Sequence, residues 1–591
     1  MFITSAVQLR ALLARAPEWI CDVETNGLQV IGPQSRDKAW IVGLLPSGTT
    51  SCFYIDCQHP EWPAMKRELE RTRMVFHNGR FDIHAMGLDM EVPWLDTMAA
   101  QYHQNTAGKK SLDDLFPGEK LPTLPELLGP KGKQNSIHLL RYGLNSWDPR
   151  LLAYLDDDLL KTDRLHREAV KWGYYHDLDE RVEQVVQRME DRGVVVLQEP
   201  VTELRNVLRP MVEEQVAALK GHGFDGNPNS SDQLIAFLSE RAGYRRICGK
   251  WRDEVQTPEY KEFLKRSDFK WKLNDWGTLK PSTDGKKVVV PLSDGGDPFA
   301  LALLEYRSYS KKYRDFALKL TGGPVRGQIR TLMTKTGRFS HAEPNLGQIP
   351  KQNKTPREVE LGLALKFRAC FTGASGYMSG ADFGQVEMRV AAALSGDENL
   401  LAAFGPGMDF HTATACQVFG GTPETLKKEQ RFAVKQINFG ILNGMKETRL
   451  ALAIGCNVYK AKAFRQAYLK RFQGLANWMD EVTQDARSKE VVTGIDGTFL
   501  VYDPGEWVNN AVSMKVQGGA ALLMKHALVA CEDAGLRPVL SVHDEIVTDS
   551  KDKGAECAEV MREAANSAYP ELLGSVDFVA EGGHGSTWAD I

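Results

Sequence analysis

No run of apolar residues in this 591-residue chain approaches the ~18 that a membrane-spanning helix needs, which excludes a helical membrane protein. Its nine cysteines include no C-x-x-C pair, so the sequence argues against zinc and against a disulfide framework, and the cytosol is the default compartment. Neither sign of charge dominates. The 73 Lys and Arg stand against 77 Asp and Glu, a net charge of −4, and this balance does not announce a binder of polyanions. It does not exclude one, because a carboxylate-rich metal site coexists readily with a basic groove. Residues 1–18 lack any acid before Glu18 and carry Arg10 and Arg15, a faint likeness to a transit peptide. A docked helix is the preferred reading, because the strand that begins at about Trp19 would lose its cover on cleavage. What the chain does have is 42% hydrophobic residues, enough for packed cores, and length for roughly three to five domains.

The stretch Leu540 to Thr548 stands out. Two short β-rich runs meet at His543-Asp544-Glu545, so a tight hairpin is expected to lift both carboxylates to its tip. Adjacent carboxylates repel unless a cation neutralises them, and oxygen-only ligands suit Mg²⁺; a solvated turn is the bland alternative. A second acidic motif, Asp382-Phe383-Gly384-Gln385-Val386-Glu387-Met388-Arg389, follows the run Tyr377 to Ala381. Asp382 therefore sits where a strand ends and a helix begins. If Asp382 and Asp544 converge, they can hold two cations that activate an attacking hydroxyl and stabilise a leaving pyrophosphate, the chemistry of nucleotidyl transfer.

Near the amino terminus, Trp19 to Gly27 reads as a strand entering a turn, and its period of two puts Asp22 and Glu24 on one face. Alone, an Asp-x-Glu is a common surface pattern. Asp82 follows in His77-Asn78-Gly79-Arg80-Phe81-Asp82, and Tyr154 and Asp158 lie four apart on one helical face. This order of four acids and a tyrosine resembles the proofreading 3′-5′ exonucleases, whose acids bind two metals while the tyrosine orients the attacking water. The resemblance implies Asp22, Glu24, Asp82 and Asp158 as ligands and Tyr154 as the water-positioning group, with Asp156 and Asp157 as bystanders.

Residues 104–150, rich in Pro, Gly and Lys, read as a long loop with short helices. From about residue 180, Val182, Val186 and Met189 form an apolar stripe ahead of Gly193 that belongs to a core. Lys250 to Lys287 interleaves basic and aromatic residues, which suits either a base-stacking surface or a solvated helix face. Gly277 to Asp284 looks like a loop whose hydroxyls and lysine grip phosphate, and helix resumes from Pro298 through Leu320. Thr336 to Ser340 and Glu343 to Pro350, the latter including Asn345, are turn-rich; Arg338 offers a forked donor for minor-groove acceptors. Asp409-Phe410-His411 opens a helix. In Glu429 to Gly444, Arg431, Lys435, Phe439 and Asn443 recur at steps of four, placing two cations and a ring on one face, a match to a triphosphate and its sugar.

Taken together, the Asp382 segment, the Arg431 to Gly444 helix and His543-Asp544-Glu545 closely resemble the three motifs of family A DNA polymerases, and the resemblance covers nearly the whole chain. It implies a multidomain α/β and α+β fold, with a ribonuclease H-like 3′-5′ exonuclease domain over 1–185 followed by a right hand: thumb 186–322, palm 323–395 and 497–591, and fingers 396–496. It implies template-directed addition of dNMPs to a primer with proofreading, and two Mg²⁺ ions per active site. Asp382, Asp544 and the Phe383 carbonyl would hold metal with Glu545 in support. Arg431, Lys435 and His411 would hold the triphosphate, Lys435 protonating the pyrophosphate. Phe439 would pack on the sugar and Glu387 would block a 2′-hydroxyl. Gln385, Arg338, Asn345, Gln517 and His543 would contact nucleotide, primer or template. The partners implied are primer-template DNA and dNTPs, with helicase-primase and single-strand-binding proteins as replisome candidates, and the type is that of a phage replicase. A monomer in the cytoplasm is expected, the bacterial host's if the chain is phage-encoded. The chain departs from the family at Gly384 (usually Ser), Asn443 (nearly always Tyr), Ser513 (commonly Asn) and Asn509 (commonly Arg). Without a ring at 443, a looser template is expected. A single-subunit RNA polymerase and a nuclease on a retired polymerase scaffold are the competing readings; Glu387 and the exonuclease acids oppose the first, intact Asp382, Lys435 and Asp544 the second.

Overall fold

The computed structural model describes the chain apart from residues 26–37, 91, 93, 107, 109, 120–146, 240, 242–243, 245–282, 295, 352, 354–355, 406–408, 455, 490 and 501–509. Most of the expected 104–150 loop, nearly all of the Lys250 to Lys287 stretch with the loop at its end, Asn509, and the side chain of Phe439 lie outside the described residues.

Strand Trp19–Thr25 is central to a six-stranded sheet, in the order Phe2–Ile3, Phe53–Asp56, Ala39–Pro46, Trp19–Thr25, Met74–Phe76, Leu95–Asp96. It runs antiparallel to Ala39–Pro46 and parallel to Met74–Phe76. Cys21 and Val23 enter the core while Asp22 and Glu24 stay partly open, as strand alternation requires. Helix Pro149–Trp172 lies across this sheet. Asp148 caps it, accepting from Arg150 N at 2.9 Å, and Pro149 occupies the first turn, where no amide donor is needed. Leu151, Leu155 and Leu159, at steps of four, are fully buried against Ile20, Ile41, Leu45 and Val75. Each contributes roughly 1.5–3 kcal/mol. The approach is close because strand residue 43 is glycine: a Cβ there would meet Leu155 and Leu159 at 2.8 Å. The amino-terminal helix Ala6–Leu13 is docked as expected, capped by Ser5, with Leu9, Leu12 and Leu13 buried and Leu13 O accepting from Trp19 Nε1 at 3.1 Å.

Helix Asp177–Arg192 joins this part to the rest. Val182, Val185, Val186 and Met189 enter the large carboxyl-terminal core, as the stripe predicts. Its acids grip the amino-terminal part. Arg80 pairs with Glu183, with Glu190 at 3.0 Å and with Ile329 O at 2.6 Å, and Asp179 pairs with His103 and with Lys525 at 2.9 Å. Such buried pairs tolerate no missing partner, so they fix how the two parts are set against each other. The expected boundary at 185/186 falls inside this continuous helix.

The carboxyl-terminal sheet is antiparallel, in the order Pro538–Val542, Glu545–Thr548, Met378–Phe383, Ala580–Gly585. Helices Ala511–Asp533 and Gly554–Ser567 contribute Val516, Leu523, Leu528, Cys557 and Met561 to the core that also takes in Ile546. The helical region between the two halves of this sheet includes Phe410–Phe419, Lys428–Ile441, Val458–Arg471 and Gln473–Lys489. A smaller sheet sets Val194–Val196 between Phe371–Thr372 and Gly323–Val325. Among the described residues no helix is long and apolar enough to cross a membrane.

Candidate active sites

The first acid cluster forms where strand Trp19–Thr25 meets helix Pro149–Trp172. Carboxylate oxygens of Asp22, Glu24 and Asp158 lie within 4.8 Å of one another. Leucines 151, 155 and 159 face the sheet, so Tyr154 and Asp158, each one residue before a buried leucine, turn together toward the strand. Asp82, on helix Gly79–Met86, is buried, accepts from Val23 N at 3.1 Å and stands near enough for its charge to act on Asp22, but it is not one of the three clustered acids. Asp156 and Asp157 have other partners: Tyr54 OH at 2.5 Å and Lys161 Nζ at 2.5 Å.

These acids hold their protons unusually tightly. Burial, then the charges of Asp82, Asp158 and Glu24, pushes the Asp22 carboxyl well above the carboxylate range. Burial and then Asp158 push Glu24 up to about 8, and burial with Asp157 pushes Asp158 up to about 7. Burial followed by the Asp96 charge raises Asp82, and burial with Asp158 raises the Tyr154 phenol. Oxygen donors forced together against their own repulsion are the donor set that Mg²⁺ relieves.

A pH dependence follows. A cation binds the ionised carboxylates, so Mg²⁺ affinity is expected to rise as pH climbs from 6 through 8. The folded chain holds the Glu24 proton more tightly than an unfolded chain, whose value is near 4.5. Stability without metal is therefore fullest below that value and declines as pH rises toward about 8. The rise in melting temperature produced by Mg²⁺ is expected to be larger at pH 8 than at pH 6, and Glu24→Gln to flatten the difference. Equal shifts at both pH values in the wild-type chain would refute this.

The second cluster lies on the carboxyl-terminal sheet. Register pairs Asp382 with Glu545, and Phe383 N donates to Asp544 O at 3.0 Å, so the end of one strand lies beside the hairpin turn. Asp544 sits in that turn beside His543, which takes a left-handed φ of 56°. Burial pushes Asp544 up to about 6; the charges of Glu387 and Asp382 add to the rise, while Arg338 and Lys351 oppose it. Lys351 Nζ lies 2.6 Å from Asp382. Two acids on adjoining strand end and turn, with oxygen donors only, are the kind of donor set a divalent cation takes. A cavity of about 40 Å³ opens here, lined by Arg338, Phe339, Met524, His543 and Asp544 among others.

One expectation is corrected. The turn lifts Asp544 alone; Glu545 is already in strand Glu545–Thr548, 2% exposed. Its side chain is held in the core, where Arg368 grips both oxygens, at 3.0 and 2.7 Å, and Trp588 Nε1 donates at 3.2 Å. The Arg368 guanidinium also lies 4.4 Å over the Trp588 ring. Sequence reasoning missed Arg368, Lys351 and the role of Trp588. Only Arg368 carried a signal, a cation among the otherwise buried Leu363, Ala364, Phe367 and Cys370.

Around this cluster, Gln385 caps helix Val386–Ser395 with a left-handed φ of 56°, which places Glu387 in the first turn, and Glu387 pairs with Arg338. At Gly384 a Cβ would meet Val579 at 3.0 Å, so the serine expected of the family would press on that side chain. Asn345 precedes the short turn Leu346–Gln348. His411, on helix Phe410–Phe419, is buried, which lowers its pKa, and Asn438 Nδ2 lies 3.0 Å from its Nδ1. Arg431, on helix Lys428–Ile441, reaches Asp409 and Thr412, each at 2.8 Å, and Lys435 is exposed one turn on.

That helix ends earlier than expected. Asn443 lies beyond Ile441, in a turn closed by Gly444 at φ 67°, so it does not continue the Arg431 and Lys435 face. Its Oδ1 instead accepts from Ser513 Oγ at 2.7 Å and Gln517 Nε2 at 3.3 Å, and Gln517 Nε2 also reaches Ser513 Oγ at 2.9 Å. Two of the departures from the family pattern thus meet in one hydrogen-bonded group.

Residues 201–590 match the model of DNA polymerase family A, and the chain belongs to that family. It is 31% identical over 511 residues to a thermostable DNA polymerase I of Thermus caldophilus, covering 80% of this chain and 55% of that protein. It is 30% identical over 617 residues to DNA polymerase I of Chloroflexus aurantiacus, covering 96% and 61%. The chain therefore spans little more than half the length of these relatives. The POL domain of Pol1 from M. smegmatis, solved in complex with DNA primer-template and dNTP, has the same fold, with a TM-score of 0.74 over 100% of this chain and 99% of that one at 22% identity.

Proposed function

We propose that the chain is a template-directed DNA polymerase that adds dNMPs to a primer 3′ end and removes misplaced ones with a separate 3′-5′ exonuclease. The observation that carries it is the pairing of strand Met378–Phe383 with the His543-Asp544 turn, which sets two acids side by side, next to Arg338 and Glu387, in a family A chain. The second acid cluster, at Asp22, Glu24 and Asp158 with Asp82 nearby, supports the exonuclease. The thumb, palm and fingers assignments follow from the same reading.

Asp382, Asp544 and the Phe383 carbonyl in one site, and Asp22, Glu24, Asp82 and Asp158 in the other, would hold Mg²⁺, which would supply Lewis acidity toward the attacking oxygen and the leaving group. The protein does the rest. Arg431 and Lys435 project from one helix face toward the triphosphate, and His411, held beside them by Asn438, joins them in holding it. Lys435 protonates the departing pyrophosphate. Tyr154 orients water in the exonuclease, and Phe439 packs on the sugar. Gln385, Asn345, Gln517 and His543 contact nucleotide, primer or template, and Glu545 acts through the strand it anchors.

Glu387 bars ribonucleotides by filling the space of a 2′-hydroxyl, and the ion pair with Arg338 holds it there. Glu387→Ala is expected to raise kcat/KM for rNTPs far more than it changes that for dNTPs, while Glu387→Gln, which keeps the bulk, retains most of the discrimination. Parallel changes for both nucleotide classes would remove this assignment. The whole proposal is tested on one gel: a labelled primer on a template lengthens with dNTPs and Mg²⁺, shortens with Mg²⁺ alone and is unchanged with a chelator. A primer that never lengthens refutes the polymerase; one that never shortens refutes the exonuclease.

A further inference from the structure

One of the chain's strongly basic stretches lies in its helical region. Residues 427–471 hold eleven Lys and Arg against only Glu429 and Glu447, a net of +9 in a chain whose total is −4. Within them, helix Val458–Arg471 carries Lys460, Lys462, Arg465, Lys470 and Arg471 and no acid. It packs by a stripe of Ala461, Phe464 and Tyr468. At 100° per residue the opposite line is Tyr459, Ala463, Gln466 and Lys470, with Lys462 on one flank and Lys460 and Arg471 on the other, and all of these are exposed. Tyr459 is 85% exposed, and Phe432 on the neighbouring helix Lys428–Ile441 is 47% exposed. Lys460 reaches Glu429 of that helix at 3.4 Å, so the basic face continues onto the helix that bears Arg431 and Lys435.

We propose that this outer face of helix Val458–Arg471 is a docking surface for the single-stranded template ahead of the primer terminus; the role rests on the polymerase reading above. Three features select that occupant. The charge matches a phosphate backbone, and the helix is about 20 Å long, room for a few nucleotides. The exposed tyrosine ring amid lysines offers a stacking platform, which unpaired bases use and duplex bases, already stacked, do not. An acidic protein segment would use the lysines and leave the ring idle. The next helix, Gln473–Lys489, restores acids with Asp480, Glu481 and Asp485, so the basic face has an end.

The test is binding of the full chain, without divalent metal, to two primer-templates whose 5′ template overhangs are one and twelve nucleotides. The wild type is expected to bind the long overhang roughly tenfold more tightly, the ratio one stacked base supplies. Lys462→Glu with Lys470→Glu should abolish that advantage and keep binding to the short overhang within twofold. Its salt dependence on the long overhang should fall by about 1.4 in log–log slope for two lost phosphate contacts. Tyr459→Ala, at a position too exposed to affect folding, should remove most of the advantage with the slope unchanged. An equal overhang advantage in wild type and charge-reversed chain overturns the proposal, as does equal loss on both substrates, which would mean a duplex site. Capture of a poly-aspartate peptide by the wild type only, with the overhang advantage intact in the variant, would assign the face to an acidic protein and also overturn it. Because the readout is metal-free binding, failure of the polymerase reading would show separately, as a wild-type chain that binds and does not extend.

Discussion

Asp544→Ala is expected to reduce primer extension by at least ~10²-fold and to leave any primer degradation at the wild-type rate; Asp22→Ala with Glu24→Ala is expected to do the reverse. The expectation rests on placement. Asp544 stands in a turn of the carboxyl-terminal sheet beside Asp382, whereas Asp22 and Glu24 stand on the central strand of a different sheet, with Asp158 of a helix packed on it. Removing a carboxylate that stabilises developing charge costs the reaction at that site and has no direct path to the other. Single-turnover extension and degradation of one labelled primer, measured on variants with wild-type circular dichroism, give both rates. Loss of both reactions in either variant would mean that the acids serve one shared site.

Arg368→Ala is expected to destabilise the carboxyl-terminal sheet by about 3–5 kcal/mol, because it strands the buried Glu545 carboxylate with Trp588 Nε1–H but without its forked cation. Replacing both partners, Arg368→Met with Glu545→Leu, should recover much of that loss, since no charge is then left unpaired. In a chain with several cores a single melting temperature mixes transitions, so amide exchange of strand Glu545–Thr548 is the appropriate measure. A loss below about 1 kcal/mol would show that the pair is solvated in solution. Because Glu545 and Asp544 are consecutive, extension by Arg368→Ala should also fall, and recover in the double variant to the extent that stability does.

Local pattern alone disclosed a good deal of this protein. Strand alternation put Asp22 and Glu24 on one face, a step of four put Tyr154 and Asp158 on another, and a β-rich run broken by His543-Asp544 became a hairpin. Each depends on covalent periodicity, which the sequence carries directly. The apolar stripe Val182, Val186 and Met189 was legible for the same reason. Where the pattern misled, the error was also local: Glu545 was placed with Asp544 at the tip, though the turn is two residues long and leaves Glu545 in the strand. The Arg431 face was extended to Asn443 past the true end of its helix.

The tertiary structure alone decided which distant groups meet. Arg368 and Trp588 close on Glu545 from 177 and 43 residues away, and Ser513 and Gln517 close on Asn443 from 70 and 74. Lys351 reaches Asp382, and one helix's acids hold Arg80, His103 and Lys525. No spacing in the sequence encodes such encounters, because they arise when several cores pack at once and buried charges must find partners. The residue types and their periods determined the elements and the acids they bear. Which polar groups those acids meet was settled only by how the elements pack.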